Sequence, residues 1–203
     1  MEKDWNLLDR IIAALRYAKV NRYVRRGSTV ADIGCGREGA FLLSHSAKIA
    51  RGYGFDFRIQ THDEGNISFI CNKGLGGKIP LEDGSVDDVF LNAVLEHLED
   101  PKGVLSEAAR ILKEGGRIIM TTPTRIAQPV LEFLSYRLHL INEDEIREHK
   151  HYFNKADIQE IIAVITPPLY KYTVRLERYA IFELGFNSLI VLRKELGEQN
   201  EGK

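Results

Sequence analysis

Glycines 34, 36 and 39 follow directly on the run Val30-Ala31-Asp32-Ile33, and a loop of that kind lets a ligand come close to the backbone. Lacking Cβ atoms, the chain can turn sharply out of a strand and leave its N–H groups approachable. Alone, the Gly-x-Gly-x-x-Gly pattern serves equally well as a plain strand-to-helix turn. Asp32 sharpens it, because a carboxylate there would repel a pyrophosphate yet suits an amino group or a sulfonium cation. Asp56 closes the segment Gly52-Tyr53-Gly54-Phe55-Asp56. At the tip of the next strand it can accept both hydroxyls of a ribose, with an exposed loop aspartate as the alternative.

Proton chemistry, if an acceptor hydroxyl has to lose its proton, points to histidine, whose free imidazole titrates at about 6.5. Three of the six histidines have a positional argument. His97 follows the strand that ends at Leu91, at the rim where ligands bind in open α/β sheets; its alternative role is packing and capping. His149 and His151 follow an apolar helix, and in extended chain residues two apart face the same way, so the pair could act together or simply lie in a solvated loop. Cys35 and Cys71 form no Cys-x-x-Cys, and no Cys/His cluster has metal-ligand spacing, so no metal is expected.

A longer stretch carries more information. Ile79-Pro80-Leu81-Glu82-Asp83-Gly84-Ser85-Val86-Asp87-Asp88 leads through a strand into Leu95-Glu96-His97, and later Arg110-Ile111-Leu112-Lys113-Glu114-Gly115-Gly116 precedes another strand. In these residues the chain resembles the class I S-adenosylmethionine-dependent methyltransferases of the type 11, small-molecule branch, over roughly 28–123. The resemblance implies S-adenosyl-L-methionine as cofactor and S-adenosyl-L-homocysteine as product. Gly34, Cys35 and Gly36 would lie under the methionine part, with Asp32 holding the loop or the amino group. Asp56 would take the ribose and Phe57 the adenine, while Asn92 would meet the methionine moiety. Glu96 and His97 would stand beside the methyl group. Three departures from the family pattern stand out. Its third glycine falls where this chain has Glu38, so that Gly39 has to serve. Too few residues follow Asp56 for more than a very short second crossover helix. Asn72 replaces the acid that often meets the adenine amino group.

The elements that must position these residues alternate. Apolar spacing predicts a helix over 6–24 ended by Gly27, strands at 29–33, 53–55, 67–71, 86–91 and 117–122, and helices at 40–50 and 93–112, the last broken near Pro101. Asn154 caps a helix over 155–165, with Asp157 at its third position. Tyr170 to Glu177 alternates as a half-buried strand, and a turn at Gly185-Phe186-Asn187 returns the chain through Ser188–Leu192. The expectation is a Rossmann-like, doubly wound, mostly parallel seven-stranded α/β sheet with an antiparallel C-terminal hairpin, in one domain over 1–203. Within it, 1–27 is an N-terminal helix, 28–123 the cofactor-binding half, 124–153 a lid or acceptor segment, 154–193 the last helix and hairpin, and 194–203 a disordered tail. Val130, Leu131, Phe133, Leu134, Leu138 and Ile141 form the apolar face of the lid helix, started by Pro129. The same face could instead be core packing or a homodimer contact.

With 203 residues, 44% of them hydrophobic and 28% charged, the chain reads as one folded domain. A net charge of −1 provides no basic field for nucleic acid. The charged start Met1-Glu2-Lys3-Asp4 is unlike a signal peptide and no apolar run approaches a membrane span, so no membrane insertion and a cytoplasmic location are expected. The leading function is methyl transfer to a small-molecule or glycan acceptor, on oxygen. The alternatives are an NAD(P)-dependent oxidoreductase, to which Asp32 and the hairpin are unsuited, and a methyltransferase fold that binds without turnover.

Overall fold

The computed structural model describes residues 7–72, 77–137, 146–147, 149–166 and 172–197. Their elements run α1 (Leu7–Val20), β1 (Thr29–Ile33), α2 (Ala40–His45), β2 (Arg51–Asp56), β3 (His62–Glu64), β4 (Ile67–Cys71), β5 (Val86–Asn92), α3 (Pro101–Ile111), β6 (Leu112–Pro123), α4 (Ala127–Tyr136), α5 (Lys155–Ile165), β7 (Tyr172–Phe182) and β8 (Asn187–Leu196). The strands form one sheet in the order β3-β4-β2-β1-β5-β6-β8-β7. β4, β2, β1, β5 and β6 are parallel, while β8 runs antiparallel to both β6 and β7.

The alternation of the central strands explains the layering. Ala31, Val89, Leu91, Ile118, Met120, Ile190 and Leu192 face one side, where Leu105, Ala108 and Ile111 of α3 meet Ile158 and Ile161 of α5. Val30, Phe90, Ile119, Leu189 and Val191 face the other, against Val20 of α1 and Phe41 and Leu42 of α2. Strands apolar on both faces need helices on both sides, which is the doubly wound arrangement. The winding reverses between β1 and β5, and a crevice opens above the carboxyl ends of strands at such a switch.

Eight strands, not seven, make up the sheet among the described residues. The added one is β3, which pairs antiparallel with β4 through His62↔Phe69 and Glu64↔Ile67 and takes the place of the short crossover helix. The connection is too short to wind a helix across the sheet, and a reversal at Gly65 (φ +58°) lets it fold back as a hairpin. The helix predicted over 93–112 resolves into a 3-10 turn at Leu95–His97 and α3, which begins at Pro101 with the Asp100 carboxylate accepting from the Gly103 N–H. α2 ends at His45, short of residue 50. The α5 cap follows the sequence closely: Asn154 accepts from the Ala156 and Asp157 N–H groups, and Asp157 accepts in return from the Asn154 N–H. β8 runs through residues 194–196, which the sequence reading put in the tail, held by Arg175–Glu195 pairing and by Lys194 Nζ donating to the Leu112 carbonyl. The predicted lid residues Leu138 and Ile141, like Tyr170, lie outside the described residues.

Candidate active site

The loop glycines are glycine for two different reasons. At Gly34 (φ +76°) a Cβ would fall inside the Val94 side chain, and at Gly39, which opens α2, inside the Phe69 ring. Gly39 therefore does the close-packing job of the third glycine one position later than Glu38. Gly36 (φ +73°) has nothing within 4 Å of where its Cβ would be. The backbone there borders open space. The loop is held by the Gly34 and Cys35 N–H groups donating to the Phe55 carbonyl and by the Gly36 N–H donating to Asp56 Oδ2 at 2.9 Å.

Asp32 is 2% exposed, and its Oδ1 is buried without a hydrogen-bond partner. Burial, and then the neighbouring Asp56 carboxylate, hold its pKa well above the usual carboxylate range. Cys35 beside it has its thiol pushed up by burial and by both carboxylates, so it behaves as a small apolar residue and not as a nucleophile. Tyr17 of α1 packs on Phe41 and is raised to about 12 by burial and by Asp32. Asp56 spends its second oxygen on the Arg58 N–H at 2.8 Å, and Arg58 lies over the exposed Phe57 ring. Asn72 is half-buried, its N–H donating to the Asp56 carbonyl, so it borders the same strand tip.

Across the switch point, Asn92 ends β5 with both amide atoms buried and lacking hydrogen-bond partners. Ala93 follows in the left-handed region (φ +54°), its N–H donating to the Thr121 carbonyl. Buried polar atoms left unpaired are costly, and their concentration at the tips of β1 and β5 is what a polar ligand would relieve. A cationic amino group suits Asp32, and an amide can meet either a donor or an acceptor on that ligand.

The histidines converge from far apart in the chain. The rings of His97 and His149 meet edge to face with centroids 4.8 Å apart, and His149 Nδ1 lies 3.0 Å from the Tyr152 hydroxyl. The Lys150 and His151 N–H groups both donate to the Glu96 carbonyl, tying this segment to the 3-10 turn. Burial, His97 and Arg16 lower the His149 pKa to about 3, well below the free imidazole value its sequence position suggests. Tyr152 is pushed up to about 12 by burial, with Glu132 and Tyr136 of α4 contributing. His151 points elsewhere: it is exposed and its ring packs against Phe153 at 5.7 Å. His149, His151 and Tyr152 line a cleft of about 690 Å³ whose other walls include Pro101, Arg125 and Asp157. Sequence reasoning missed Tyr17, Arg125 and Tyr152, which reach the site only through tertiary packing.

Part of the long motif is structural. Arg110 of α3 donates to the Ile79 and Leu81 carbonyls and pairs with Asp83 and Glu107, pinning the 79–83 turn. Asp88, fully buried, is held by Arg117 at 2.9 Å and Arg25 at 3.0 Å.

Residues 31–120 match the family described as a methyltransferase domain. A Mycolicibacterium smegmatis protein named as a probable S-adenosylmethionine-dependent methyltransferase is 34% identical over 102 residues, 49% of this chain and 40% of that protein. The malonyl-[acyl-carrier protein] O-methyltransferase of Hahella chejuensis is 31% identical over 101 residues, 46% of this chain and 36% of the relative. The chain thus spans less than half the length of these curated relatives. A solved Haloferax volcanii complex between the Trm112 methyltransferase activator and a methyltransferase superposes with a TM-score of 0.69 at 19% identity, over 92% of this chain and 91% of the other, a likeness of fold. The glycine loop and the two strand tips lie within the matched stretch, so that residues 31–120 are similar to the methyltransferase domain family and the fold is that of the class I S-adenosylmethionine-dependent methyltransferases.

Proposed function

We propose that the protein transfers a methyl group from S-adenosylmethionine to an oxygen of a small-molecule or glycan acceptor. The observation that carries this reading is the pairing of unsatisfied, buried Asp32 and Asn92 at adjacent strand tips above an open Gly36. When bound, the cofactor supplies an electrophilic methyl group on a sulfonium. Asp32 and Asn92 would hold its amino-acid end beside Gly34 and Cys35, and Asp56 its ribose, since each carboxylate oxygen keeps a second lone pair. Phe57 and Asn72 would border the adenine. The acceptor enters through the cleft beside Arg125, where His149, His151 and Tyr152 orient it; alignment alone is worth several kcal/mol. The O-methyltransferase relative supports oxygen as the acceptor atom.

Calorimetry tests the cofactor: S-adenosylhomocysteine should bind in the micromolar range and NAD should give no heat. The opposite pattern would overturn the assignment. For the acceptor step, a screen with labelled cofactor identifies the substrate, and His149→Ala or His151→Ala should then lower turnover at least tenfold with cofactor affinity within twofold. Full activity in both variants removes them from the chemistry and leaves His97 next in line. Intact cofactor binding with no transfer to any acceptor marks a binding protein instead.

A further inference from the structure

We propose that Glu96, His97 and His149 form a binding site for a divalent transition-metal ion of the Zn2+ class, beside the acceptor cleft. One donor atom from each of the three lies within 4.8 Å of the other two. A zinc ion takes nitrogen and carboxylate oxygen at about 2.0–2.2 Å, which sets donors about 3.4 Å apart in a tetrahedron. A pair at that limit has to close by about 1.4 Å, within reach of side-chain rotation. Two imidazoles and one carboxylate are the donor set that suits zinc or iron and leaves positions open, and they favour neither Mg2+ nor Ca2+.

The surroundings are arranged to hold such a set. Glu96 and His97 are neighbours on one tight 3-10 turn, so their placement is fixed by the backbone. The segment carrying His149 is bound to that same turn by two N–H groups on the Glu96 carbonyl, at 2.8 and 3.2 Å. The Tyr152 hydroxyl lies 3.0 Å from Nδ1 of His149 and orients the ring, and metal-binding histidines are commonly oriented by such an outer contact. Glu96 is 1% exposed, so its carboxyl group lies away from bulk solvent beside the two rings. Because His149 also lines the cleft, an open coordination position would face an incoming acceptor oxygen and favour its deprotonated form. That use of the ion rests on the cleft being the acceptor site; binding of the ion does not.

The test uses the whole, untagged chain, stripped with chelator and dialysed against Zn2+, with metal counted by mass spectrometry and Co2+ absorption as a second readout. One Zn2+ per chain is expected, with Mg2+ in excess failing to displace it. His149→Gln and His97→Gln should each weaken Zn2+ binding at least tenfold, whereas His151→Gln leaves it unchanged. Circular dichroism and thermal melting of the same preparations show that the variants are folded, and S-adenosylhomocysteine calorimetry reports the cofactor site separately. Absence of Zn2+ uptake, or uptake that His149→Gln and His97→Gln leave intact, overturns the site and assigns any bound metal to surface histidines. Zn2+ uptake that follows this pattern in protein with no affinity for S-adenosylhomocysteine upholds the metal site and defeats the methyltransferase reading alone.

Discussion

Asp32 is a carboxylate the apo protein holds at a cost, and this makes its chemistry measurable. Its raised pKa means the folded state takes up a proton more readily than the unfolded chain, so the resulting penalty on stability is absent at acid pH. The penalty grows as pH rises through the folded pKa. Asp32→Asn should therefore raise the apo melting temperature most at the alkaline end, the gain vanishing below the ordinary carboxylate pKa. A cationic ligand reverses the balance by favouring the ionised form against Asp56, Tyr17 and Cys35, which all face it. S-adenosylmethionine affinity should rise with pH until Asp32 is ionised in the free protein, and the Asn variant should bind weakly with a flat profile. Calorimetry across pH decides this; an unchanged slope in the variant would place the titrating group elsewhere. Asp56→Ala should weaken binding by roughly 1–3 kcal/mol. Gly36→Val should be worse, since a branched Cβ would enter the open space at a positive φ; normal binding in that variant would mean the ligand lies elsewhere. These residues were legible because strand-tip acids and loop glycines have local signatures. Tyr152 was not, since nothing near it in the sequence says that its hydroxyl reaches His149.

At the level of elements, short apolar runs located the central strands, and the Asn154 box located α5 to the residue. The misreadings share one cause. Residues 57–66 have no long apolar period, and their short span was given the helix that such crossovers usually carry, whereas pairing with β4 satisfies the backbone in fewer residues. Likewise, residues 149–153 are not a strand, so their rings do not alternate: His149 turns to His97 and Tyr152, and His151 to Phe153. α4, for which the sequence suggests a lid, starts at Ala127 rather than Pro129, with Phe133 and Tyr136 left exposed and Ser135 buried, so its apolar positions do not simply face the core.

Across the molecule, unpartnered buried polar atoms at the strand ends fall on the side of the glycine loop. Towards the amino ends of the strands Asp88 is fully paired with Arg117 and Arg25; at the carboxyl ends Asp32 and Asn92 are left wanting. Asp88→Ala strands the mostly buried Arg117 and should cost roughly 3–5 kcal/mol of stability in urea unfolding. Its affinity for S-adenosylhomocysteine should stay within twofold; a large loss would show that the two ends are coupled. Net charge gave no hint of this polarity, because it depends on which carboxylate meets which guanidinium across the sheet.

The place of β8 has a consequence for the order in which the protein can be made. It follows β7 in the chain, yet it lies between β6 and β7, bonded to both. As the polypeptide leaves the ribosome, everything through β6 can pair in sequence, but β6 then presents an open edge. β7 cannot close that edge by itself, because its place in the sheet is one strand further out. Until residues 187–196 emerge, Ile118, Ile119 and Met120 belong to an unfinished border, and the nascent chain is most open to chaperones and to mispairing at that moment.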